Sequence, residues 1–241
     1  MVAGMDSNFE KIAPDTEAQE GLYSSRRSDA GNWTSGIVGV GRLVGSMRGI
    51  SAPTMAHWLG SADLVTPQIM QRIDHVTFMA IACAYYWRPL NCDKLGAGIS
   101  RMLFDFGFNA GVSRAAKQLQ QVVGMPGHEI DGNIGPKTLS VLAAGLGFER
   151  FVSAEWAKAA QQAVGVSADG HIGPATRAAI NAKGAGSARL LIYALASRQE
   201  LAYRSFSGFR ENGDGWINRL KWRVEASLND LEHSLALHTA A

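Results

Sequence analysis

The last quarter of the chain carries the clearest alternation of apolar and polar positions. Five apolar residues there recur at spacings of three and four positions: Leu220, Val224, Leu228, Leu231 and Leu235. Charged residues occupy the positions between them. This spacing places the apolar side chains on one face of a helix, so the pattern predicts an amphipathic helix over residues 218–237.

The N-terminal region changes from a helical pattern to a glycine-rich one. Residues 8–19 have helical composition that is interrupted by Pro14, whereas residues 21–49 are rich in Gly and Ser. Short apolar residues lie between these glycines, which is typical of turns and short strands. We therefore expect a small irregular hairpin or loop region after the first helix.

Two helix starts follow the glycine-rich stretch. Ser51 and Thr66 each place a hydroxyl before a proline in the first helical turn, and this combination is favoured at helix N-termini. Residues 66–87 are predicted to form one or two helices that end before Pro89, because the residue preceding a proline disfavours helical geometry.

An internal repeat appears farther along the chain. LQQVVG followed by DGNIGPKT spans residues 119–138, and AQQAVG followed by DGHIGPAT spans residues 160–176. Each unit reads as a helix ending at glycine, an Asp-Gly turn and a second helix with proline near its start. We predict a duplicated helical module over residues 119–142 and 160–182. We interpret Asp131 and Asp169 as turn-forming residues, and binding of a peptide stem by their carboxylates is the alternative.

Composition narrows the class of protein. The 241 residues are 46% hydrophobic and 18% charged, with a formal net charge of +2, which indicates a globular chain rather than a disordered one. Lys and Arg are not densely clustered, so we expect no nucleic-acid partner. Acidic residues lie where a signal peptide needs an apolar core. The longest nearly uncharged apolar run, residues 76–87, is too short to span a bilayer.

Neither the cysteines nor the histidines are spaced as metal ligands. Cys83 and Cys92 form no Cys-x-x-Cys pair, and we interpret them as thiols, with a disulfide between them as the alternative. The histidines considered are His57, His75, His128 and His171. We interpret these as surface or loop residues and expect no metal or organic cofactor.

Three polar residues near the N-terminus are candidates for glycosidic chemistry. Glu20 follows the first helix, and Asp29 and Thr34 lie in the glycine-rich stretch. Cleavage of a glycosidic bond needs a carboxylic acid that protonates the leaving oxygen and usually a second carboxylate. On the residues alone, solvated surface charges remain the alternative. Glu17 is the local rival of Glu20, and we interpret it as a solvated charge on the helix.

Several motifs resemble glycoside hydrolase family 108. The N-terminal signature of that family is similar to Glu20-Gly-Leu-Tyr23, Asp29-Ala-Gly31 and Thr34-Ser-Gly36-Ile37. Further segments resemble the family in the same order along the chain, at residues 85–89, 104–111, 198–205 and 215–219, and the repeat motif DGNIGPKT at residues 131–138 resembles the family's peptidoglycan-binding region. The resemblance thus runs from about Phe9 to Arg223. Leu22, Ala30 and Asn32 depart from the family pattern, and Ala30 and Asn32 lie in the loop that carries Asp29.

The resemblance implies a mainly α-helical, lysozyme-like fold with a small β-hairpin or loop region near the active site. It implies a catalytic region over residues 1–98 and a helical peptidoglycan-binding region over residues 99–241. Glu20 would be the general acid, and Asp29 and Thr34 would orient water or stabilise the charge developing on the sugar. Candidate substrate-binding residues are Tyr23, Trp33, Tyr86, Trp87 and Asn109. For Trp87, packing in the core is the alternative.

The implied activity is that of an N-acetylmuramidase (lysozyme), with peptidoglycan as partner. We expect a monomeric phage endolysin, made in the host cytoplasm and released through a holin to act in the periplasm. A bacterial muramidase that aids protein secretion and a non-catalytic peptidoglycan-binding protein are the alternatives. The C-terminal helix could also contact the anionic outer membrane, through Trp216, Arg219, Lys221, Trp222 and Arg223. Packing of that helix against the body is the competing interpretation.

Overall fold

The computed structural model describes residues 7–145 and 147–239, and most of these are helical. The expected mainly α, lysozyme-like fold is confirmed. The chain divides into two compact units, Met1–Tyr86 and Trp87–Ala241. The assignment of catalysis to residues 1–98 and of wall binding to residues 99–241 stays a prediction.

In residues 7–86, the described part of the first unit, there are four α-helices and most of a π-helical turn. Their bounds are α1, Ser7–Gln19; α2, Ala52–Leu59; α3, Pro67–Gln71; α4, His75–Ala82; and the π-helical turn Cys83–Trp87, whose last residue begins the second unit. Pro14 lies inside α1 without ending it. The core packs α1 against α4, through Phe9, Ile12, Phe78 and Ile81, all fully buried.

Hydroxyl and carboxylate caps begin the short helices of this unit. The side chain of Ser51 accepts a hydrogen bond from the backbone N of Thr54 at 3.3 Å, and Thr66 accepts one from Ile69 N at 3.2 Å. Both predicted helix starts are therefore confirmed. Asp74 forms a further cap that the sequence pattern did not reveal. This cap explains why residues 66–87 form separate helices.

The glycine-rich stretch forms an irregular hairpin, as predicted. It is held by three isolated antiparallel bridges, Ser24–Ser46, Trp33–Leu43 and Met47–Ile50. Gly45 has a φ of +86°, and a Cβ there would lie 2.5 Å from the ring of Tyr23. Both the backbone geometry and the close ring therefore require glycine at this turn.

The second unit is helical throughout its regular structure. Its helices are α5, Ala97–Ala110; α6, Val112–Val122; α7, Pro136–Ala144; α8, Ala154–Ala163; α9, Pro174–Ala182; α10, Gly186–Ser205; and α11, Phe209–Thr239. The predicted amphipathic helix is confirmed as part of α11, which begins nine residues earlier than residue 218. Helices α5, α10 and α11 pack against one another around a buried charge network.

That network is centred on the carboxylate of Asp105 in α5, which is fully buried. The guanidinium of Arg223 donates to it at 2.6 Å, and that of Arg219 donates at 2.7 and 3.1 Å. Burial would raise the pKa of Asp105, but the two guanidinium charges and their hydrogen bonds outweigh burial and hold this pKa well below its usual range. The carboxylate therefore stays ionised in the core of the second unit.

Side chains from α10 complete the network. Arg223 donates to Oε1 of Gln199 at 2.6 Å and to the hydroxyl oxygen of Tyr203 at 3.0 Å. The rings of Tyr203 and Trp216 stack with centroids 5.7 Å apart. Residues from three of the family-like sequence blocks thus meet in one structural cluster within this unit.

This cluster bears on the suggested membrane contact of the C-terminal helix. Arg219 and Arg223 hold Asp105, and Trp216 stacks on Tyr203, so these three side chains pack against the body of the second unit. Lys221 is exposed and Trp222 is half-buried. The structure therefore supports packing for most of the residues on which the membrane hypothesis was based.

The two repeats form equivalent helix–loop–helix units, as predicted, and each is held by one buried glutamine. Nε2 of Gln120 donates to Oδ1 of Asp131 at 2.7 Å, and Gly132 N donates to Oε1 of Gln120 at 2.9 Å. Gln161 repeats both bonds with Asp169 and Gly170, at 2.6 and 2.9 Å. These hydrogen bonds lower the pKa of both aspartates. Turn formation thus explains both.

Removal of one of these glutamines tests this structural role. Gln161→Leu is expected to lower the free energy of unfolding by about 1–3 kcal/mol, because it leaves the buried N–H of Gly170 without its acceptor. Denaturation in urea measures the change. Gln162→Leu, at the exposed neighbouring position, is the matched control and should stay within about 0.5 kcal/mol of wild type. Equal unfolding midpoints for the two variants would contradict the interpretation.

Cys83 and Cys92 are buried thiols, as expected. Within residues 7–145 and 147–239, the structure contains no helix with the length and hydropathy needed to cross a bilayer.

Candidate active site

A cleft of about 300 Å³ opens in the first unit, between the end of α1 and the irregular hairpin. It is lined by Glu20, Gly21, Leu22, Ser24, Asp29, Gly31, Ser46, Gly49 and Ser51. The structure thus brings together two predicted catalytic carboxyl groups, those of Glu20 and Asp29. The third predicted catalytic residue, Thr34, is not among the residues that line the cleft.

Glu20 is positioned by the last turn of α1. Its backbone N donates to the carbonyl of Glu17 at 3.0 Å, so the chain continues the helical path for one more residue. The side chain is half-buried. A carboxyl group carried on the end of a helix has little freedom to move, which suits a residue that must meet one oxygen atom of a substrate.

Tyr86 lies within electrostatic reach of Glu20. Burial raises the pKa of the Tyr86 phenol, a hydrogen bond with Thr54 opposes this, and the negative charge of Glu20 raises the pKa further. The phenol therefore remains neutral at ordinary pH beside the candidate acid. This places the predicted substrate-binding residue Tyr86 close to Glu20.

Glu17 is buried and held in a cluster by two polar partners that are themselves partly exposed. Its carboxylate is 9% exposed and pairs with Arg48 and with Nδ1 of His75, the latter at 2.6 Å. The interpretation of Glu17 as a solvated charge was wrong, because α1 turns this residue toward α4 and the hairpin. Because Arg48 and His75 occupy its carboxylate, we assign Glu17 a structural role and not that of a proton donor.

Arg48 connects this cluster to the floor of the cleft. It has a φ of +52°, its backbone N donates to Gly21 O at 3.1 Å, and its Nε donates to Ile73 O at 3.0 Å. The left-handed conformation is costly for a residue with a side chain. The contacts with Glu17 and Gly21 compensate for it and fix the backbone next to Glu20.

Asp29 begins a short 3-10 turn over Ala30–Asn32. Its side chain is exposed and accepts a hydrogen bond from Gly31 N at 2.9 Å. Asn32, which departs from the family pattern, donates through Nδ2 to Arg26 O at 3.0 Å. The altered residue thus braces the loop that carries Asp29.

Thr34 and Trp33 support the same hairpin. Oγ1 of Thr34 accepts from Arg42 N at 3.0 Å, and Thr34 is 9% exposed. Trp33 is 7% exposed and donates from Nε1 to Arg27 O at 2.9 Å. Both residues hold the hairpin in shape, and their direct contact with substrate stays a prediction.

The remaining substrate-binding candidates lie in different surroundings. The hydroxyl of Tyr23 donates to Val44 O at 3.0 Å, so its ring covers the inside of the hairpin. Trp87 is 1% exposed and packs edge-to-face on Phe104, which gives it no open face for a sugar. Asn109 is exposed in the last turn of α5, in the second unit.

Chemically, the cleft offers one carboxyl group on a helix end, one on a loop, and hydroxyl groups from serines. Acid-assisted glycoside cleavage uses two carboxyl groups of this kind, one on each side of the scissile bond. No group of three or more His, Cys, Asp or Glu residues within the described ranges is arranged to hold a metal ion.

Comparison with known proteins agrees with this chemistry. Residues 13–111 match the model of the family named glycosyl hydrolase 108. This match supports a glycosidase of the peptidoglycan-degrading, muramidase type. The matched residues include both cleft carboxylates and Tyr86.

A solved structure extends the likeness of fold beyond the glycosyl hydrolase 108 segment. The structure of SagA from Brucella abortus aligns with a TM-score of 0.63 and 22% sequence identity, covering 92% of this chain and 94% of that one. At this identity the comparison establishes a shared fold. A search of curated proteins found no match.

Sequence reasoning missed several residues around the site of this glycosyl hydrolase 108 segment. Arg48 and His75, which hold Glu17, lie far from it in the sequence and follow no motif. Ser51 was recognised only as a helix cap, yet it also lines the cleft. The glycine-rich stretch holds three other arginines, Arg26, Arg27 and Arg42, so no local signal singles out Arg48.

Proposed function

We propose that the protein is an N-acetylmuramidase that hydrolyses the β-1,4 bond between N-acetylmuramic acid and N-acetylglucosamine. The observation that carries this proposal is the cleft in which Glu20 and Asp29 lie together, inside the family-matched segment. The negative charge of Glu20 also contributes to the raised pKa of the Tyr86 phenol, which supports a role for Tyr86 near the cleft.

In this proposal Glu20, in its protonated form, donates its proton to the leaving glycosidic oxygen. The carboxylate of Asp29 stabilises the positive charge that develops on the sugar or orients the attacking water. Glu17 takes no part in proton transfer, since Arg48 and His75 already hold its carboxylate. The cluster of Glu17, Arg48 and His75 instead supports the backbone on which Glu20 and Gly21 lie.

Mass spectrometry of digested peptidoglycan tests the bond specificity. Wild-type protein is expected to release muropeptides with a reducing N-acetylmuramic acid end, since hydrolysis by a muramidase leaves the anomeric hydroxyl on that sugar. Reducing N-acetylglucosamine ends would indicate a glucosaminidase, and anhydro ends a transglycosylase. Binding to sacculi without any released reducing ends would contradict the enzyme and favour a non-catalytic binding protein.

We further propose that the protein acts on the periplasmic wall as a monomeric phage endolysin that depends on a holin for release from the cytoplasm. The muramidase type of the family supports this role, and aid to bacterial protein secretion is the alternative. Lysis of a Gram-negative host only when a holin is co-expressed would support the endolysin role. Lysis without a holin would contradict it.

A further inference from the structure

A second cleft, of about 640 Å³, lies within the second unit. It is formed by the 3-10 turn Phe148–Phe151, the start of α8 and the C-terminal half of α10. Its charged lining consists of Arg150, Arg198, Arg204, Glu155 and Glu200. Three guanidinium groups against two carboxylates give the cleft a net positive charge.

Two of these arginines flank a single aromatic ring. The guanidinium carbons of Arg150 and Arg198 lie 4.9 and 5.5 Å from the ring centroid of Phe151. A guanidinium over an aromatic face keeps its in-plane N–H donors available for an acceptor. The ring thus supports two cationic donors in the same cleft.

Neither of these two side chains has an anionic partner within the described part of the chain. The Nε of Arg198 is buried and makes no hydrogen bond to any described atom. Arg204 differs, because Glu200 holds its Nε and Nη2 at 2.8 and 2.6 Å. Burial of a donor without a partner costs about 1–3 kcal/mol, and no described carboxylate holds the guanidinium of Arg198 as Glu200 holds that of Arg204.

The backbone of the first repeat makes room for Arg150. A Cβ added at Gly124 would collide with Nη2 of Arg150, and Gly124 has a φ of +83°. The glycine that ends α6 therefore serves both the helix end and the placement of this guanidinium. Such placement lowers the conformational entropy lost when a ligand binds.

The rest of the lining fits a short peptide. Leu201 is 60% exposed and, with Val152, offers apolar surface for small side chains. Glu155 is exposed and can accept from an amino group. Arginine side chains bind carboxylates with two parallel hydrogen bonds, so the carboxylates of such a peptide match Arg150 and Arg198.

We propose that this cleft is a binding site for short peptides that carry free carboxylates, which Arg150 and Arg198 bind. The identification of that ligand as the stem peptide of peptidoglycan rests on the function proposed above. The site would hold the wall polymer through its peptides, whereas the Glu20 cleft acts on its sugars.

Titration of the full chain with the tetrapeptide L-alanyl-γ-D-glutamyl-meso-diaminopimelyl-D-alanine tests this site. The wild type is expected to bind the free acid form at least about tenfold more tightly than the fully amidated form. The double variant Arg150→Gln/Arg198→Gln should lose about tenfold or more in affinity, the size expected from one lost charged hydrogen bond. Arg210→Gln/Lys221→Gln removes the same charge from exposed positions of α11 and should bind as wild type does.

Circular dichroism checks the fold of each variant, and Arg150→Gln alone, at an exposed position, serves if the double variant does not fold. Equal binding of the free and amidated peptides, or no loss in the variants, would overturn the proposal. Inorganic phosphate that binds more tightly than the peptide would also overturn it, in favour of a phosphate-bearing polymer. Reducing-end release without peptide binding would refute only this site, and peptide binding without release would refute only the muramidase.

Discussion

Replacement of Glu20 by Gln is expected to lower the rate of reducing-end release from purified peptidoglycan by a factor of about 10²–10⁴. The amide keeps the size and hydrogen-bonding capacity of the side chain but has no proton to transfer to the leaving oxygen. Since the side chain lies in the cleft rather than in the core, binding to sacculi should remain close to that of wild type. Single-turnover and sacculus-pelleting assays measure the two quantities separately.

Glu10→Gln is the matched control for this experiment. Glu10 lies on the exposed face of α1, and the change removes one negative charge from the same helix without touching the cleft. This variant should retain wild-type activity. Full activity in Glu20→Gln would show that another group supplies the proton, and Glu17→Gln would then be the next variant to test.

Replacement of Asp105 by Asn is expected to destabilise the protein by about 3–5 kcal/mol, the cost of leaving buried charges without their counter-ion. Arg223 is fully buried, whereas the side chain of Arg219 is 11% exposed, so loss of the carboxylate leaves the Arg223 charge without its counter-ion inside the packing of α5 against α11. The size of the loss follows from burial, since an exposed pair of the same kind contributes about 0–1 kcal/mol. Urea denaturation of the wild type and the variant measures it.

The same carboxylate predicts how stability depends on pH. The pKa of Asp105 is lower in the folded protein than in the unfolded chain, so its stabilising contribution is present above pH about 4 and is lost as the pH falls below this value. The wild type should therefore lose stability more steeply below pH 4 than Asp105→Asn does. Asp214→Asn, at an exposed position of α11, should keep the wild-type stability and acid profile, and identical acid profiles of all three proteins would refute the role of Asp105.

Local patterns predicted much of the secondary structure because the forces that shape it act over a few residues. Ser51 and Thr66 cap the helices expected of them, and the apolar spacing of residues 218–237 lies within α11. The duplicated Gln and Asp-Gly motifs likewise form the same hydrogen bonds in both repeats. Each of these features is governed by backbone groups that lie within about 12 residues of the side chain involved.

Such local patterns could not predict the ion pairs between residues that lie far apart in the sequence. Nothing near Glu17 in the sequence indicates that Arg48 and His75 will enclose it, and nothing near Asp105 indicates that it will meet arginines of the last helix. The membrane interpretation of Arg219 and Arg223 had the same origin, because a basic helix face has the same sequence pattern whether it meets lipid or a buried carboxylate.

The sequence by itself determined the mainly helical class, the family resemblance, the duplicated module and the choice of Glu20 as candidate acid. Only the tertiary structure decided that Glu20 and Asp29 share a cleft while Glu17 is held in the interior, and that Thr34 and Trp33 brace the hairpin. The physical reason is that side-chain chemistry is encoded locally, whereas burial and charge pairing depend on which distant segments pack together.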